Sequence, residues 1–316
     1  MPEPSAKSPL IVWIVSDGKP GHVNQSLGLA EALARATPTA IHTVPALPAW
    51  RAWLALLIQC FPANALPAPD LIVSAGHATH LTLLAARRAR GGRSVVLMKP
   101  SLPRRWFDLC ILPRHDGVAE DAHTLVTEGA INRIRPDPAS NAHHGLLLMG
   151  GTSPHFEWDS GAILVQIKSI LARTPDTHWT LTTSRRTPTD FLDALPAYPN
   201  LTSVSHTATP PGWLPEQLAQ SGTVWVTPDS ASMVFEALTA GANVGVFDLP
   251  VNPTSRVGRA IAQLADAQRI TRFANWCAHG TLHPNLHPLA EADRCAEWIL
   301  EWLKANPDRP FERSCS

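Results

Sequence analysis

The sequence predicts an α/β protein with two doubly wound, Rossmann-like domains. Short apolar and β-branched runs alternate with segments of helical periodicity, and the alternation starts at Leu10 and again at Gly145. A polar stretch with two prolines, residues 134–144, separates the two series. A chain of 316 residues has room for two such domains, which we expect to face each other across a cleft. The predicted units are residues 1–138, residues 145–288, and a C-terminal helix and tail at residues 289–316 that packs back on the first domain.

Each element of the first domain follows from its own run of residues. Strands are expected where apolar residues stand in short blocks, and helices where they recur every three to four positions. The expected strands are residues 10–15, 40–44, 70–74, 93–98 and 107–112, and the expected helices are residues 24–36, 50–60 and 79–90. Strands that alternate with helices indicate a parallel sheet.

The second domain repeats this order. A loop that opens with two glycines, residues 150–159, follows its first strand. The expected strands are residues 145–149, 179–183, 224–226 and 244–247, and the expected helices are residues 161–173, 190–195, 231–240 and 256–267. A strongly amphipathic helix at residues 291–304 comes last, and the tail after Pro307 is expected to be loose.

Composition limits the classes of partner and the compartment. The 26 basic and 26 acidic side chains balance, so the sequence predicts no nucleic-acid partner. The five cysteines are scattered without a C-x-x-C pair, which favours a reducing compartment and hence a cytoplasmic protein. The run Leu10–Val15 is too short for a signal sequence. No stretch reaches the roughly 18 apolar residues of a membrane-spanning helix.

The segment from Asp229 to Leu249 has the order loop, helix and strand. The N-terminus of its helix presents backbone N–H groups and the positive end of the helix dipole, which favour a phosphate. Ser230 and Ser232 add hydroxyl donors, and the carboxylate of Glu236 can accept hydrogen bonds from two ribose hydroxyls. These residues indicate a nucleotide site. The alternative is an ordinary crossover with a capped helix.

The loop after the strand at 145–149 offers a second place for a phosphate. Gly150 and Gly151 allow a close approach of the backbone, and Thr152 and Ser153 supply hydroxyl groups. The alternative is a tight turn between strand and helix.

Two arginines follow the next strand of the second domain. Arg185 and Arg186 can each bind a phosphate with two parallel hydrogen bonds. The alternative is an exposed pair that interacts with Asp190 or Asp193.

The first loop of the chain gathers polar side chains at the end of the first strand. It places Asp17, Lys19 and His22 beside Gly18 and Gly21, and the glycines permit unusual backbone geometry. Asp17 and His22 have the chemistry of a general base. The alternatives are a turn carboxylate for Asp17 and a residue at the helix start for His22.

Residues 50–61, WRAWLALLIQCF, come closest to the apolar length of a membrane span. One interpretation is a helix packed on the sheet. The other is a patch that dips reversibly into the membrane interface, where tryptophan side chains are favourable. The near-zero net charge of the chain adds little attraction to anionic lipid.

Six motifs, in order, resemble the mitochondrial-fission ELM family. They are SDGKPGHVNQSLGLA at residues 16–30, PRHD at 113–116, TEGAINRI at 127–134, GGTSPHFEW at 150–158, TTSRRTP at 182–188 and DSASMVFEALTAG at 229–241. The resemblance covers nearly the whole chain. Bacterial members of this family are regarded as GT-B glycosyltransferases, so the resemblance implies a GT-B-like arrangement of two Rossmann-like domains.

The resemblance also implies a nucleotide-sugar donor in the C-terminal domain and an acceptor facing the N-terminal domain. The implied donor-binding residues are Gly150, Gly151, Thr152, Ser153, Ser184, Arg185, Arg186, Asp229, Ser230, Ser232, Met233 and Glu236. The implied acceptor-side residues are Lys19, Gly21, His77, Arg114, His115 and Asn132. The base that takes the proton of the acceptor hydroxyl is Asp17 or His22, with Asp116 and His115 as rivals.

No metal ion or other cofactor is expected. The sequence lacks the D-x-D motif that would hold a divalent metal against a donor diphosphate, so helix dipoles and arginines would stabilise the leaving group. His279, His283 and His287 have suggestive spacing, but Pro284 and Pro288 break the helix that would align them. A surface loop is predicted there.

The sequence therefore predicts a metal-independent GT-B glycosyltransferase that transfers a sugar from a nucleotide-sugar to a membrane-associated glycolipid, such as a lipopolysaccharide-core intermediate. It would act in the cytoplasm, peripherally on the cytoplasmic face of the inner membrane of a bacterium. Two alternatives stay open. One is a non-catalytic membrane adaptor that keeps the fold, and the other is a different nucleotide-sugar enzyme such as an epimerase.

Overall fold

Two parallel six-stranded sheets organise the chain. The computed structural model describes residues 8–63, 65–136 and 141–306. Within it, one unit runs to Arg133 and resumes at Ala290, and the other spans Ile134–Leu289. The predicted loose tail and residues 137–140 of the predicted linker lie outside the described residues.

The first unit has its six strands in the order β2-β1-β3-β4-β5-β6, all parallel. Its elements up to the second unit are β1 (Leu10–Ser16), α1 (Pro20–Ala36), β2 (Thr39–Pro45), α2 (Ala49–Ile58), β3 (Leu71–Ala75), α3 (His80–Arg90), β4 (Arg93–Leu97), β5 (Leu109–Pro113) and β6 (Thr124–Thr127). Short 3₁₀ turns follow β3 and β5 and precede β5.

Strand β1 shows how this sheet is buried on both faces. Successive side chains of a strand point to opposite faces. Val12 and Ile14 therefore join the core on the side of α1, and Trp13 and Val15 join the core on the side of α2 and α3. A parallel sheet covered on both sides favours apolar residues on both faces of its strands, as Leu10–Val15 of this strand show.

The second unit has its strands in the order β12-β11-β10-β7-β8-β9, again all parallel. Its elements are β7 (Asn141–Leu148), α4 (Ser160–Arg173), β8 (His178–Thr182), β9 (Leu201–Val204), α5 (Trp213–Gln220), β10 (Ser221–Val226), α6 (Ala231–Ala240), β11 (Asn243–Val246), α7 (Arg256–Asp266), β12 (Thr271–Arg272) and α8 (Phe273–His279). The fold class predicted from the sequence, α/β with two doubly wound domains, is confirmed.

The last helix, α9 (Glu291–Ala305), returns to the first unit and packs on α1. Cys295, Ala296 and Ile299 are fully buried in the same core as Leu29 and Leu33 of α1. The apolar stripe of this helix thus completes one face of the first unit.

Three details differ from the sequence predictions. Residues 190–195 form turns and not a helix, because Pro188 and Pro196 leave too few residues for a stable one. Strand β7 begins at Asn141, inside the predicted linker, because hydrogen bonds to β8 and β10 hold its exposed first half without apolar packing. Helix α1 begins at Pro20 and not at residue 24, since proline is tolerated in the first helical turn.

Five short elements, β6, β9, β12, α5 and α8, were not predicted at all. Each has at most eight residues, so periodicity gives little signal. None of the helices in the described ranges is both long and apolar enough to span a membrane.

Candidate functional site

Three loops meet at the carboxyl edge of the second sheet. Strands β10, β7 and β8 are neighbours in that sheet, so the loops that follow them lie side by side. The backbone N–H of Gly150 donates to the Thr227 hydroxyl at 2.7 Å, and the N–H of Thr152 donates to the Arg186 carbonyl at 3.1 Å. The GGTS, TSRR and PDSAS segments of the sequence therefore form one cluster.

Asp229 links the three loops. Its side chain is 1% exposed, and its Oδ2 accepts a hydrogen bond from the Gly151 N–H at 3.0 Å and pairs with Arg186 Nη1 at 2.8 Å. Burial raises the pKa of Asp229, although the Thr227 hydroxyl and the Arg186 charge act in the opposite direction. The carboxylate thus positions the glycine loop and one arginine.

Both glycines of the GGTS segment are required by this packing. A Cβ at Gly150 would lie 2.2 Å from Asp229 Oδ2, and a Cβ at Gly151 would lie 2.0 Å from the Arg186 carbonyl oxygen. Only glycine fits at such distances, so a tight packed turn accounts for both residues.

A cavity of about 590 Å³ opens beside the cluster. Pockets for small molecules span roughly 300–1,000 Å³, so the size suits a nucleotide-sized ligand. The loop after β8 gives it a polar wall, and α5 with α6 gives it an apolar wall. The lining residues are Leu148, Thr182, Thr183, Ser184, Arg185, Arg186, His206, Thr209, Trp213, Leu214, Ser230 and Met233.

Five of the predicted donor-binding residues line this cavity. They are Ser184, Arg185, Arg186, Ser230 and Met233. The other predicted residues are Gly150, Gly151, Thr152, Ser153, Asp229, Ser232 and Glu236, and they are not part of the lining. Ser232 is exposed in the first turn of α6, and Glu236 is half-buried further along that helix.

Helix α6 starts at the cavity without a side-chain cap. Ser230 occupies the N-cap position, and its hydroxyl accepts no hydrogen bond from the first turn. The N–H groups of that turn are therefore not satisfied by the cap residue, and the positive end of the helix dipole adds to the attraction for an anion. Of the alternative drawn from the sequence, an ordinary crossover with a capped helix, the side-chain cap at the helix start is absent.

Sequence reasoning missed the apolar wall of the cavity. Trp213 and Leu214 begin α5, and His206 lies in the 3₁₀ turn before it, with Nδ1 3.2 Å from the Thr183 hydroxyl. The preceding Pro210, Pro211 and Gly212 predict a loop, and Gly212 indeed has φ of +87°. The spacing of Trp213, Leu214 and Leu218 was the available signal for a helix.

The first loop of the first unit forms a paired Asp17 and His22. His22 Nδ1 lies 2.9 Å and 3.1 Å from the two carboxylate oxygens of Asp17, whose side chain is 7% exposed. The Lys19 N–H donates to Asp17 Oδ1 at 3.2 Å. The His22 ring also packs on Gly76, where a Cβ would lie 2.3 Å from it. The proximity of Asp17 and His22 was expected from the sequence, whereas the contact with Gly76 was not.

The remaining acceptor-side residues follow other strands of the same sheet. His77 is exposed in the turn after β3, and Arg114, His115 and Asp116 form the turn after β5, three strands from β1. Asn132 is buried, and its backbone carbonyl lies against Gly28 of α1, where a Cβ would be only 2.5 Å away. Asn132 therefore has a packing role in this structure. Among the described residues, no group of three His, Cys, Asp or Glu side chains could hold a metal ion.

Comparison with known proteins identifies the family. The family model described as mitochondrial fission ELM1 matches residues 20–303. The chain belongs to the mitochondrial fission ELM1 family. The match confirms the resemblance drawn from the six motifs. No curated protein matches the sequence.

Solved structures similar to this ELM1-family chain share its fold at low sequence identity. A candidate UDP-N-acetylglucosamine 2-epimerase of Listeria monocytogenes aligns with a TM-score of 0.62 and 12% identity, over 96% of this chain and 99% of that one. MurG of Acinetobacter baumannii aligns with a TM-score of 0.51 and 13% identity, over 94% and 100%. The calicheamicin glycosyltransferase CalG4 aligns with a TM-score of 0.52 and 14% identity, over 95% and 100%. These likenesses confirm a GT-B-like fold.

Proposed function

We propose that this ELM1-family protein is a glycosyltransferase that binds a nucleotide-sugar in the cavity of the second unit. The observation that carries the proposal is that two arginines, an uncapped helix start and an apolar wall surround one cavity. Arg185 and Arg186 suit a diphosphate, and the first turn of α6 adds N–H donors. Trp213 offers an aromatic face to a base. A nucleotide-sugar has a diphosphate for the arginines and the N–H groups, and a base for the Trp213 ring.

Asp17 and His22 supply the acid-base chemistry in this proposal. With Nδ1 donating to Asp17, Nε2 of His22 is the proton acceptor. It takes the proton of the acceptor hydroxyl while that oxygen bonds to the anomeric carbon. The bond from that carbon to the diphosphate breaks, and the nucleoside diphosphate leaves with the bonding electrons. Arginines and the α6 N-terminus, not a metal ion, stabilise its charge.

The proposed acceptor is a membrane-associated glycolipid such as a lipopolysaccharide-core intermediate. Support comes from Trp50 and Leu57 of α2, which are exposed although they are large and apolar. The proposed location is the cytoplasm, with reversible contact at the cytoplasmic face of a membrane. The described cysteines, at positions 60, 110, 277 and 295, are free thiols, as expected in a reducing compartment.

Thermal-shift measurements with UDP, GDP, CMP, ADP and their sugars test the donor site. A ligand at about 100 times its dissociation constant stabilises the folded state by about 2.7 kcal/mol. Arg185→Gln should weaken binding about tenfold or more, because a hydrogen bond to a charged group contributes about 1.5–3 kcal/mol. Lys168→Gln is the matched control, since it removes an exposed charge of α4 outside the cavity.

The proposed donor site is contradicted if no nucleotide raises the unfolding temperature, or if the Arg185→Gln variant binds the nucleotide as tightly as the Lys168→Gln variant does. Glu236→Ala tests the predicted ribose contact separately, because Glu236 lies outside the lining. An unchanged affinity in that variant assigns the ribose to other residues.

The same ligands separate the alternative functions. An adaptor that merely keeps the fold binds none of them. An epimerase changes the sugar of the bound nucleotide without any acceptor, which NMR of the sugar protons detects. A transferase leaves the donor sugar unchanged until an acceptor is present and then releases the nucleoside diphosphate.

A further inference from the structure

Helix α2 turns its apolar side away from the core of its own unit. The large apolar residues Trp50, Trp53, Leu54, Leu57 and Ile58 are between 49% and 71% exposed. Their spacing of three and four residues places them in one stripe. Ala52 and Ala55, on the other side, are buried. A helix of a soluble unit normally buries the stripe and exposes the small residues, so this stripe is available to a partner.

The stretch of sequence that contains this stripe carries charge of almost one sign. Between residues 32 and 107 the sequence has nine basic residues and a single acidic one, Asp70. Asp70 lies just before β3, and its carboxylate accepts a hydrogen bond from the Ile11 N–H at 2.7 Å. The zero net charge of the whole chain therefore conceals a basic region that contains α2, α3 and the turn before β5.

Four of these basic side chains are exposed and lack an acidic partner in the described structure. They are Arg51, Arg88, Lys99 and Arg105. Arg51 belongs to α2 and lies 5.0 Å from the ring of Trp50, and Arg88 belongs to α3, which packs against α2. Arg105 is followed by Trp106, another exposed aromatic residue. Leu56 of α2, Leu84 of α3 and Phe107, the neighbour of Trp106, all pack into the core on this side of the sheet, so these exposed apolar and basic side chains belong to segments that share one side.

We propose that this surface, the stripe of α2 with Trp106 and the four basic residues, binds an anionic lipid bilayer. In this arrangement α2 lies in the plane of the interface, its tryptophan and leucine side chains enter the bilayer surface, and the arginines and lysine contact lipid phosphates. A second copy of the chain fits less well, because a symmetric contact would bring the unpaired basic residues of both copies together. The inference rests on the proposed function in one respect: a transferase bound to this bilayer would find its lipid-linked acceptor there.

Vesicle sedimentation tests the proposal directly. The full chain is mixed with vesicles of phosphatidylcholine alone or of phosphatidylcholine with phosphatidylglycerol. Binding should be stronger to the anionic vesicles, by roughly fivefold for each basic residue that reaches the surface. It should fall at about 1 M salt, where the screening length is about 3 Å. Absence of binding, or equal binding to both vesicles, overturns the proposal.

Substitutions then locate the surface. Trp53→Gln with Leu57→Gln should lower the affinity for anionic vesicles about tenfold or more, since both side chains lose their transfer out of water. Leu286→Gln is the matched control, because Leu286 is 75% exposed in a loop of the second unit against 71% for Leu57. The double variant Arg51→Gln, Arg105→Gln should bind the anionic vesicles more weakly than the wild type does. Its binding to phosphatidylcholine vesicles should be unchanged. A Trp53→Gln, Leu57→Gln variant that binds like the control overturns the assignment to α2.

Two further measurements keep other outcomes apart. Light scattering measures the oligomeric state of the protein in solution. A dimer that is lost in the Trp53→Gln, Leu57→Gln variant would overturn the lipid proposal. The unfolding temperature without ligand should be nearly unchanged in the α2 variants, which would show that they are folded. Vesicle binding without any nucleotide shift supports this surface while contradicting the proposed transferase.

Discussion

At the scale of single residues, Asp17 is the group on which the proposed catalysis depends. Burial acts to raise its pKa, but the hydrogen bonds from His22 and from the Lys19 backbone, with their charges, outweigh it and lower the pKa. The ionised carboxylate can then hold His22 with Nε2 toward the acceptor. We expect Asp17→Asn to reduce kcat by about 10²–10⁴-fold while donor affinity stays unchanged, measured by transfer assays and titration calorimetry.

Asp116→Asn is the matched control for this prediction. Asp116 follows β5, three strands away from β1, and competes with Asp17 as the predicted base. The Asp116→Asn variant should keep the kcat of the wild type. If Asp116→Asn loses transfer and Asp17→Asn keeps it, the base lies in the PRHD turn.

We expect His80 to make the folded protein less stable in acid. Its ring is buried against Phe107, at 5.5 Å between ring centres, and burial with the neighbouring charge of His77 lowers its pKa from 6.5 to about 4. The unfolded chain therefore binds a proton at this residue between those two pH values while the folded protein does not. Stability contributed by the neutral ring is present above pH 6.5 and falls as the pH drops toward 4, by about 3 kcal/mol in total.

Urea unfolding at several pH values measures this slope. His80→Gln should remove it, whereas His279→Gln, an exposed histidine at the end of α8, should keep it. An identical slope in wild type and His80→Gln would assign the acid sensitivity to other groups.

At the scale of elements, the junction between β7 and the GGTS loop depends on a residue without a side chain at position 150. Gly150→Ala would place a methyl group 2.2 Å from the buried Asp229 carboxylate and should lower the free energy of unfolding by about 1–3 kcal/mol. Gly161→Ala, in the first turn of α4 with its nearest neighbour at 3.3 Å, should cost far less. Urea unfolding of both variants compares them, and equal stabilities would contradict the packing described here.

Helices α2 and α5 show which properties of an element the pattern does not specify. The apolar spacing of α2 predicts a helix, but it fits an inward or an outward stripe equally well, and only the burial of Ala52 and Ala55 decides. Helix α5 has eight residues after two prolines and Gly212, so its sequence resembles a loop. Length and local pattern therefore predicted the longer helices and the buried central strands, and missed the short helices α5 and α8 and the edge strands β6, β9 and β12.

At the scale of the whole molecule, both sheets were predictable because their central strands are buried on two faces and stand out as apolar runs. The meeting of the GGTS, TSRR and PDSAS loops was also predictable, since polar loops after parallel strands share one edge. The apolar wall of the cavity was not. Trp213 and His206 join it through the order of strands in the sheet, which an alternating pattern leaves undetermined.

The return of α9 to the first unit has a consequence for synthesis on the ribosome. Ile134–Leu289, the whole second unit, has been made before the first residue of α9 is added. Until then, Leu29 and Leu33 of α1 lack Cys295 and Ile299, the residues that later cover them. Domains generally fold as units during synthesis. The second unit can thus complete its fold before the first unit, in which this face of α1 stays uncovered until α9 has been made.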